Sequence, residues 1–430
     1  MTRAVYAFKP YNVGRWLVWS LFGLLLLAAP LVFKSNLAHS MLSQMGIAII
    51  ACLAYNLLLG QGGMLSFGHA VYTGLGGYLA MHALNAVSAG HLSLPVSLVP
   101  LVGGLGGWFF AFLLGYVTTR KSGTTFAMIT LGMAELVSAM SLMFSEFFGG
   151  EAGVSGNRVA GAPFMGINFG PQIQVYYLIA AYTFVCVALL FAFTRSPLGR
   201  MLNAVRDNPE RVEFIGYNTQ HVRYLAFMIA GFFSGVAGGL GVLNFEIVTA
   251  EVVGAARSGA YLLFTFLGGA TFFFGPIIGA VLMILASVLL SELTKAWLLY
   301  LGLVFLFMVM YAPGGMASLI MMNLRVASFG HLHRLWVAYV GLGGLAVVAL
   351  LGAGAWIEMV YHLQLNAALG STLSYAGVTL DALSVRSWFG AGFVLCTALG
   401  LFEVARRQYL RDWNEIQLQI EQEIKRRETL

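Results

Sequence analysis

The chain has 430 residues, 59% of them apolar and only 9% charged, with a mean hydropathy of +0.83. Ordinary soluble domains carry about 25% charged residues, so this composition excludes a soluble globular protein and points to one built within a bilayer. The formal net charge of +6 does not mark a nucleic-acid binder, because the basic residues alternate with the hydrophobic runs in a membrane pattern.

A helical crossing takes about 20 apolar residues. In chain order such runs fall at 16–33, 41–59, 68–87, 94–117, 124–146, 172–194, 222–243, 258–274, 275–293, 297–312, 336–357 and 387–405. Backbone groups must be paired internally in lipid, and long runs without period-two alternation are helices. The expected fold is therefore all-α, a polytopic transmembrane bundle of about 10–12 spans, with its weakest boundary between 258–274 and 275–293. The first run follows Arg3, Lys9 and Arg15 and is trailed by Ala38-His39-Ser40, a pattern a cleaved signal can share; its length is that of a span, and it is read as retained. With twelve spans, eighteen of the 23 lysines and arginines lie on one side, leaving Lys34, Arg158, Arg257, Lys295 and Arg386 on the other. The positive-inside rule then places both termini in the cytoplasm.

Lipid gives no hydrophobic drive for helix association, so close helix contacts need small residues. Gly231, Gly235 and Gly239 form one such seam, and Gly275 and Gly279 another. The stretch YNLLLGQGGMLSFGHAVYTGLGGYLAM, from Tyr55 to Met81, is different: Gly60, Gln61, Gly62 and Gly63 cluster where two spans meet. This composition predicts a broken or re-entrant helix, tolerated at membrane depth only when buried in protein or lining a wet cavity. Cys52, Cys186 and Cys396 fall within spans as small apolar residues, giving no disulfide framework. His331 and His333 lack a third ligand nearby, and no metal site is expected.

The segment RSPLGRMLNAVRDNPERVEFIGYNTQHVRYLAF, from Arg195 to Phe227, reads as two short helices outside the bilayer. Ser196 caps the first and Pro197 opens it, Asp207-Asn208-Pro209 breaks it, and Gly216 ends the second before Asn218 or Thr219 starts the next span. The second helix mixes Glu210, Arg211 and Glu213 with apolar residues read as exposed, Val212, Phe214 and Ile215. Such a helix either inserts into a partner's groove or rests on the membrane.

The segment resembles the cytoplasmic coupling loop of ABC-importer permeases. More specifically, residues 40–320 resemble the LivM-type permeases of branched-chain amino-acid uptake, with GQGGMLSFGHAVYTGLGGYLA, GTTFAMITLGMAELV, the coupling segment and MYAPGGMASLI in the family's order. The sequence departs from the pattern at FGGEAGVSGNR, where relatives usually carry an asparagine-containing Gly-Gly motif, and extends beyond the core after residue 320. The resemblance implies three regions: an N-terminal span (1–39), the permease core (40–320, coupling loop 195–221), and an extension (321–430) of about two spans and a cytoplasmic amphipathic helix. It implies a multi-pass protein of the bacterial inner membrane, partnered by a second homologous permease, two ABC ATPase subunits and a periplasmic binding protein. It assigns ATPase coupling to Arg206, Asp207, Glu210, Arg211, Val212, Phe214, Ile215 and Gly216. ATP would be used by the partners, with no cofactor bound by this chain: Lys34 and Lys121 alone precede a serine, neither after a glycine, so no P-loop is present.

Glu135 sits mid-span in ITLGMAELV, where an ionised carboxylate costs about 2.5–3.5 kcal/mol unless it faces the bundle interior or a wet cavity. It is a candidate partner for a substrate ammonium, or a structural, hydrogen-bonded acid. Thr124, Thr125 and Thr130, with Gln61, Ser66 and His69 from the glycine-rich stretch, either line a path or bond helices together. In the outer loop 147–171, Glu151 and Arg158 are candidate docking charges for the binding protein. Tyr409, Leu410, Trp413, Ile416, Ile420 and Ile424 form an apolar stripe expected to lie on the membrane surface or meet a partner. The competing functional readings are a proton-coupled transporter using Glu135 and an ABC permease for urea, amides or aromatic acids.

Overall fold

The computed structural model describes residues 13–159, 168–312, 314–330, 332–365, 370–375 and 377–429. Arg3, Lys9, His331 and part of the outer loop (160–167) lie outside these. The helices are α1 (Val13–Val32), α2 (Asn36–Asn56), α3 (His69–Ser88), α4 (Val99–Thr118), α5 (Gly123–Met143), α6 (Ser145–Phe148), α7 (Gln172–Arg195), α8 (Pro197–Asp207), α9 (Pro209–Phe214) and α10 (Thr219–Phe245). They continue with α11 (Ala255–Gly268), α12 (Gly275–Leu293), α13 (Trp297–Tyr311), α14 (Gly315–Ser328), α15 (Leu332–Leu365) and α16 (Val385–Thr429). Two antiparallel pairs, β1 (Val154–Ser155) with β2 (Ile247–Val248) and β3 (Thr372–Tyr375) with β4 (Val378–Asp381), are the strands among the described residues.

The all-α membrane fold is as the composition predicts, but the spans differ in detail. Among the described residues eight helices are long and apolar enough to cross a bilayer, and α13 with α14, bent by 49°, makes a ninth if taken as one span. The expected span at 258–274 stops early. The chain turns at Gly269, φ +109°, leaving α11 with 14 residues, about 21 Å of helix against a core of about 30 Å. The expected span at 68–87 forms α3, whose His69, Tyr72, Thr73 and Tyr78 are buried within protein, so it does not need the apolarity of a lipid-facing helix.

The chain forms two compact units, Met1–Val288 with Phe305–Ala317, and Leu289–Val304 with Ser318–Leu430. The first is organised around α10, packed on α4 and α3. A methyl at Gly235 would lie 2.1 Å from the Gly103 carbonyl oxygen, and one at Gly238 1.9 Å from that of Thr73. Backbone meets backbone here, which is what the glycine spacing of α10 predicts and what helix association in lipid requires. The Gly279 seam of α12 likewise abuts the Phe264 carbonyl of α11.

In the second unit α15 and α16 form a long hairpin tipped by β3 and β4. With 45 residues, α16 extends for about 67 Å and outruns any bilayer. Its charged second half is a continuation of the apolar half, not a helix lying flat. Ile416 and Ile420, 2% and 0% exposed, pack with Val326 and Leu335, and Tyr409, Trp413 and Ile424 join them. The C-terminal stripe, except for exposed Leu410, thus packs within the unit on the end of α14 and the start of α15, where the sequence suggested a membrane surface or another partner.

Candidate functional site: the helix break and the coupling segment

α2 does not end in a conventional cap. It widens into a π-helical turn, Leu57–Gln61, then passes through Gly62 and left-handed Gly63 (φ +63°) into non-helical backbone before α3 starts at His69. Such turns are uncommon and concentrate at functional sites. Glycine is required by close approach at position 60, where a methyl would meet the Ala270 carbonyl at 2.2 Å and the Asn56 side chain at 2.3 Å. The predicted break is therefore real, and it is buried in protein, with Met64 and Ser66 at 1% and 0% exposure.

Four helices converge on the non-helical stretch and the first residues of α3. The Phe67 amide donates to Thr130 Oγ1 of α5 at 3.1 Å, while the Thr130 hydroxyl donates to the Ala127 carbonyl at 2.9 Å. The Ala70 amide donates to Ser258 Oγ of α11 at 3.0 Å. His69 Nε2 and Ser234 Oγ of α10 are 2.6 Å apart, and the Tyr55 ring of α2 meets the imidazole edge-on at 5.2 Å. His69 is wholly buried, and its Nδ1 has no partner among the described residues. Ser234, Ser258 and Tyr55 carry no signal in the sequence, where single hydroxyl groups are scattered along helical segments.

Of the candidate path residues, the structure brings Ser66, His69 and Thr130 together. Gln61 is part-exposed at the break, whereas Thr124 and Thr125 are exposed at the start of α5. Glu135 corrects the expectation of an inward-facing acid. On α5 the buried stripe is Phe126, Ala127, Thr130, Ala134, Val137 and Ser141; Glu135 lies on the exposed face with Met128, Leu131 and Leu136. It has no hydrogen-bond or ion-pair partner among the described residues.

The coupling segment is capped as its sequence predicts. Ser196 Oγ accepts from the Gly199 amide at 3.2 Å, Asn208 Oδ1 from the Arg211 amide at 3.0 Å, and Asn218 Oδ1 from the His221 amide at 3.1 Å. Gly216 makes the turn at φ +89°, and the Thr219 hydroxyl donates to Glu213 Oε1 across it at 2.8 Å. Phe214 is 88% and Ile215 66% exposed, with Glu210 and Arg211 beside them, but Val212 is 2% exposed and anchors α9 to the core. Val212 thus leaves the set of exposed apolar residues; it lies about half a helical turn from Phe214, on the opposite side of α9. On α8, Leu202 and Val205 are buried, and Arg206 reaches the helix break: its Nη1 donates to the Gly60 carbonyl at 2.5 Å and its Nε to Asp207 Oδ1 at 2.9 Å.

At the opposite end of these helices, Arg158 is a clasp and not a free docking charge. Its guanidinium donates to the carbonyls of Phe169, Gly170, Leu243 and Asn244 and to Gln172 Oε1, and its amide to Glu246 Oε1. This gathers the orphan carbonyls at the C-terminus of α10 and holds Glu246 in the left-handed region, φ 56°. Glu151 is exposed. No group of three or more metal-ligating side chains occurs among the described residues.

Residues 37–313 match the family described as branched-chain amino acid transport system, permease component. The chain belongs to that family. It is 27% identical over 303 residues to the high-affinity branched-chain amino acid transport system permease protein LivM of Salmonella typhimurium, covering 66% of this chain and 70% of the relative. The LivM of Escherichia coli is 26% identical over 302 residues, covering 65% and 70%. The fructose import permease protein FrcC of Rhizobium meliloti is 24% identical over 197 residues, covering 41% of this chain and 53% of the relative. No solved structure matches the chain. The match takes in α2 to α13 and so contains both the helix break and the coupling segment.

Proposed function

We propose that the chain is a permease subunit of an ABC importer of the bacterial inner membrane, with both termini cytoplasmic, passing branched-chain or related amino acids inward. A second permease completes the membrane pair, a periplasmic binding protein delivers the solute, and two separate ATPase subunits bind and hydrolyse the ATP. The observation that carries this reading is the two-sided coupling segment. Its exposed Phe214 and Ile215 form an apolar peg flanked by charge, while its buried side reaches the helix break; a self-sufficient transporter needs no such peg.

The open face of α5 supports pairing. An ionisable side chain within a span is tolerated against a bundle interior or water-filled cavity, and among the described residues Glu135 faces outward from the bundle. The second permease closes that face, and Glu135 lines the path between the two, where its carboxylate meets the substrate ammonium. Ser66, His69 and Thr130 hold the break against α5 from behind.

The test is purification of the chain with the ATPase and binding-protein subunits, followed by ATP hydrolysis and uptake in vesicles with leucine. The reading expects ATP-dependent leucine uptake; leucine uptake driven by a proton gradient without ATPase subunits would replace it with the secondary-transporter reading. Fructose belongs in the same assay, because the partial likeness to a fructose import permease gives the sugar reading a specific ground.

A further inference from the structure

The coupling segment and the helix break are in direct contact, and the contact is narrow. Arg206, in the last turn of α8, reaches from that helix to the break, with its Nη1 on the Gly60 carbonyl at 2.5 Å. That carbonyl belongs to the π-helical turn at the end of α2, where main-chain acceptors are left without the usual helical donors. The two glycines that follow are shaped to the same helix. A methyl at Gly63 would come 2.8 Å from Arg206 Cγ, and one at Gly62 would come 3.2 Å from Leu202 Cδ1. Asp207 fixes the guanidinium from the other side, through Nε and Nη2, both at 2.9 Å. The chain from Arg206 to Val212 contains no glycine, and the Asn208 cap and Pro209 restrict the turn between α8 and α9. A displacement of the exposed peg thus passes into α8 without a flexible joint.

Resting on the reading of α9 as the ATPase peg, we propose that Arg206 is the positioning residue that joins the peg to the helix break. Movement of α8 and α9 is delivered as a displacement of the Gly60 carbonyl, and the π-helical turn Leu57–Gln61 is the element that yields. The turn suits that role. Its hydrogen bonds are already rearranged, with the Gly62 and Met64 amides both on the Leu58 carbonyl at 3.1 and 2.9 Å, so its geometry can change without opening a regular helix. A side-chain bond to a carbonyl is also short and directional, unlike the apolar contacts of Leu202 and Val205 that surround it.

The experiment uses the complex assembled with its ATPase subunits, with Cys396 replaced by alanine and Gln61→Cys introduced as a reporter; Cys52 and Cys186 are buried. A water-soluble maleimide reads the thiol introduced by Gln61→Cys with and without ATP and vanadate. With Arg206 present, the nucleotide is expected to change the labelling rate by roughly five-fold or more, the low end of ordinary allosteric coupling. Arg206→Ala should abolish that change while the ATPase subunits still co-purify, and Arg206→Lys, which keeps a donor, should restore part of it. Gly63→Ala, which displaces Arg206 without removing it, approaches the same link from the break and should also reduce the change if Arg206→Ala fails to assemble. A nucleotide response equally large in Arg206→Ala and Gly63→Ala overturns the proposal. Failure of the parent complex to retain ATPase subunits overturns the functional reading instead, and the link with it.

Discussion

α10 and α5 have similar mean hydropathies, 1.9 and 1.6, yet 78% of the most apolar stretch of α10 is buried and only 33% of that of α5. The difference lies in what each helix offers a neighbour. α10 has glycine every fourth position on one face, so α4 and α3 approach to backbone contact, and association follows from packing where lipid supplies no hydrophobic drive. α5 has one stripe of small and hydroxyl residues, touching the helix break at Thr130, and an opposite face of Met128, Leu131, Glu135 and Leu136 that is left open among the described residues. Hydropathy tells that a helix enters the membrane. The distribution of small residues tells which side of it is already occupied.

The largest effect should come from forcing apart the packed face. Gly235→Leu places a side chain where even a methyl would lie 2.1 Å from the Gly103 carbonyl, and overpacking of this kind in a well-packed core costs about 1–3 kcal/mol or more. We expect no monodisperse protein on gel filtration. Gly132→Leu, on the face of α5 where nothing lies within 4 Å, should give a folded chain with normal elution. Equal behaviour of the two would remove the contrast between the helices.

Next in size is the peg. Phe214→Asp alters a side chain that is 88% exposed, so the chain should fold, while solute-stimulated ATP hydrolysis by the assembled complex should vanish. Val212→Asp, two residues away but buried, should instead lower the yield of folded protein, because an unpaired charge is strongly disfavoured there.

The coupling segment was the most legible part of the molecule, because its boundaries are local chemistry: Ser196, Asn208, Gly216 and Asn218 act within a few residues of themselves. The break at Gly60–Gly63 and the seam on α10 were legible for the same reason, since glycine spacing expresses what the backbone must do. Sidedness was not. Nothing around Glu135 distinguishes the face of α5 that meets Thr130's neighbours from the face left open. Val212 and Phe214 are both apolar, yet about half a turn of helix separates core from solvent. Arg158 reads as a loop charge because most of its acceptors are main-chain carbonyls, which are silent in composition, and two of them lie at the far end of α10. The periodicity of the C-terminal stripe was readable, but its partner, the Val326 and Leu335 pair, was not.

Arg158 and Glu151 carry the contrast to the opposite end. Arg158→Ala leaves several buried carbonyls unpaired, each costing about 1–3 kcal/mol, and should lower thermal stability measurably in detergent. The smallest effect belongs to Glu151→Lys. This exposed charge should leave stability unchanged and alter the rate of binding-protein association at low salt only, since rim charges act on encounter and are screened. An Arg158→Ala variant as stable as the parent would return Arg158 to the docking surface.

The most direct measurement is uptake by Glu135→Gln in vesicles containing the full complex. The substitution keeps shape and hydrogen bonding and removes the charge. If the open face of α5 lines the path, leucine uptake should fall by roughly ten-fold or more, the loss of about 1.4 kcal/mol or more of favourable interaction, with assembly intact. Leucine uptake at the parent rate in Glu135→Gln, together with failed assembly in Glu135→Leu, would contradict the account and make Glu135 a structural contact to a neighbouring subunit.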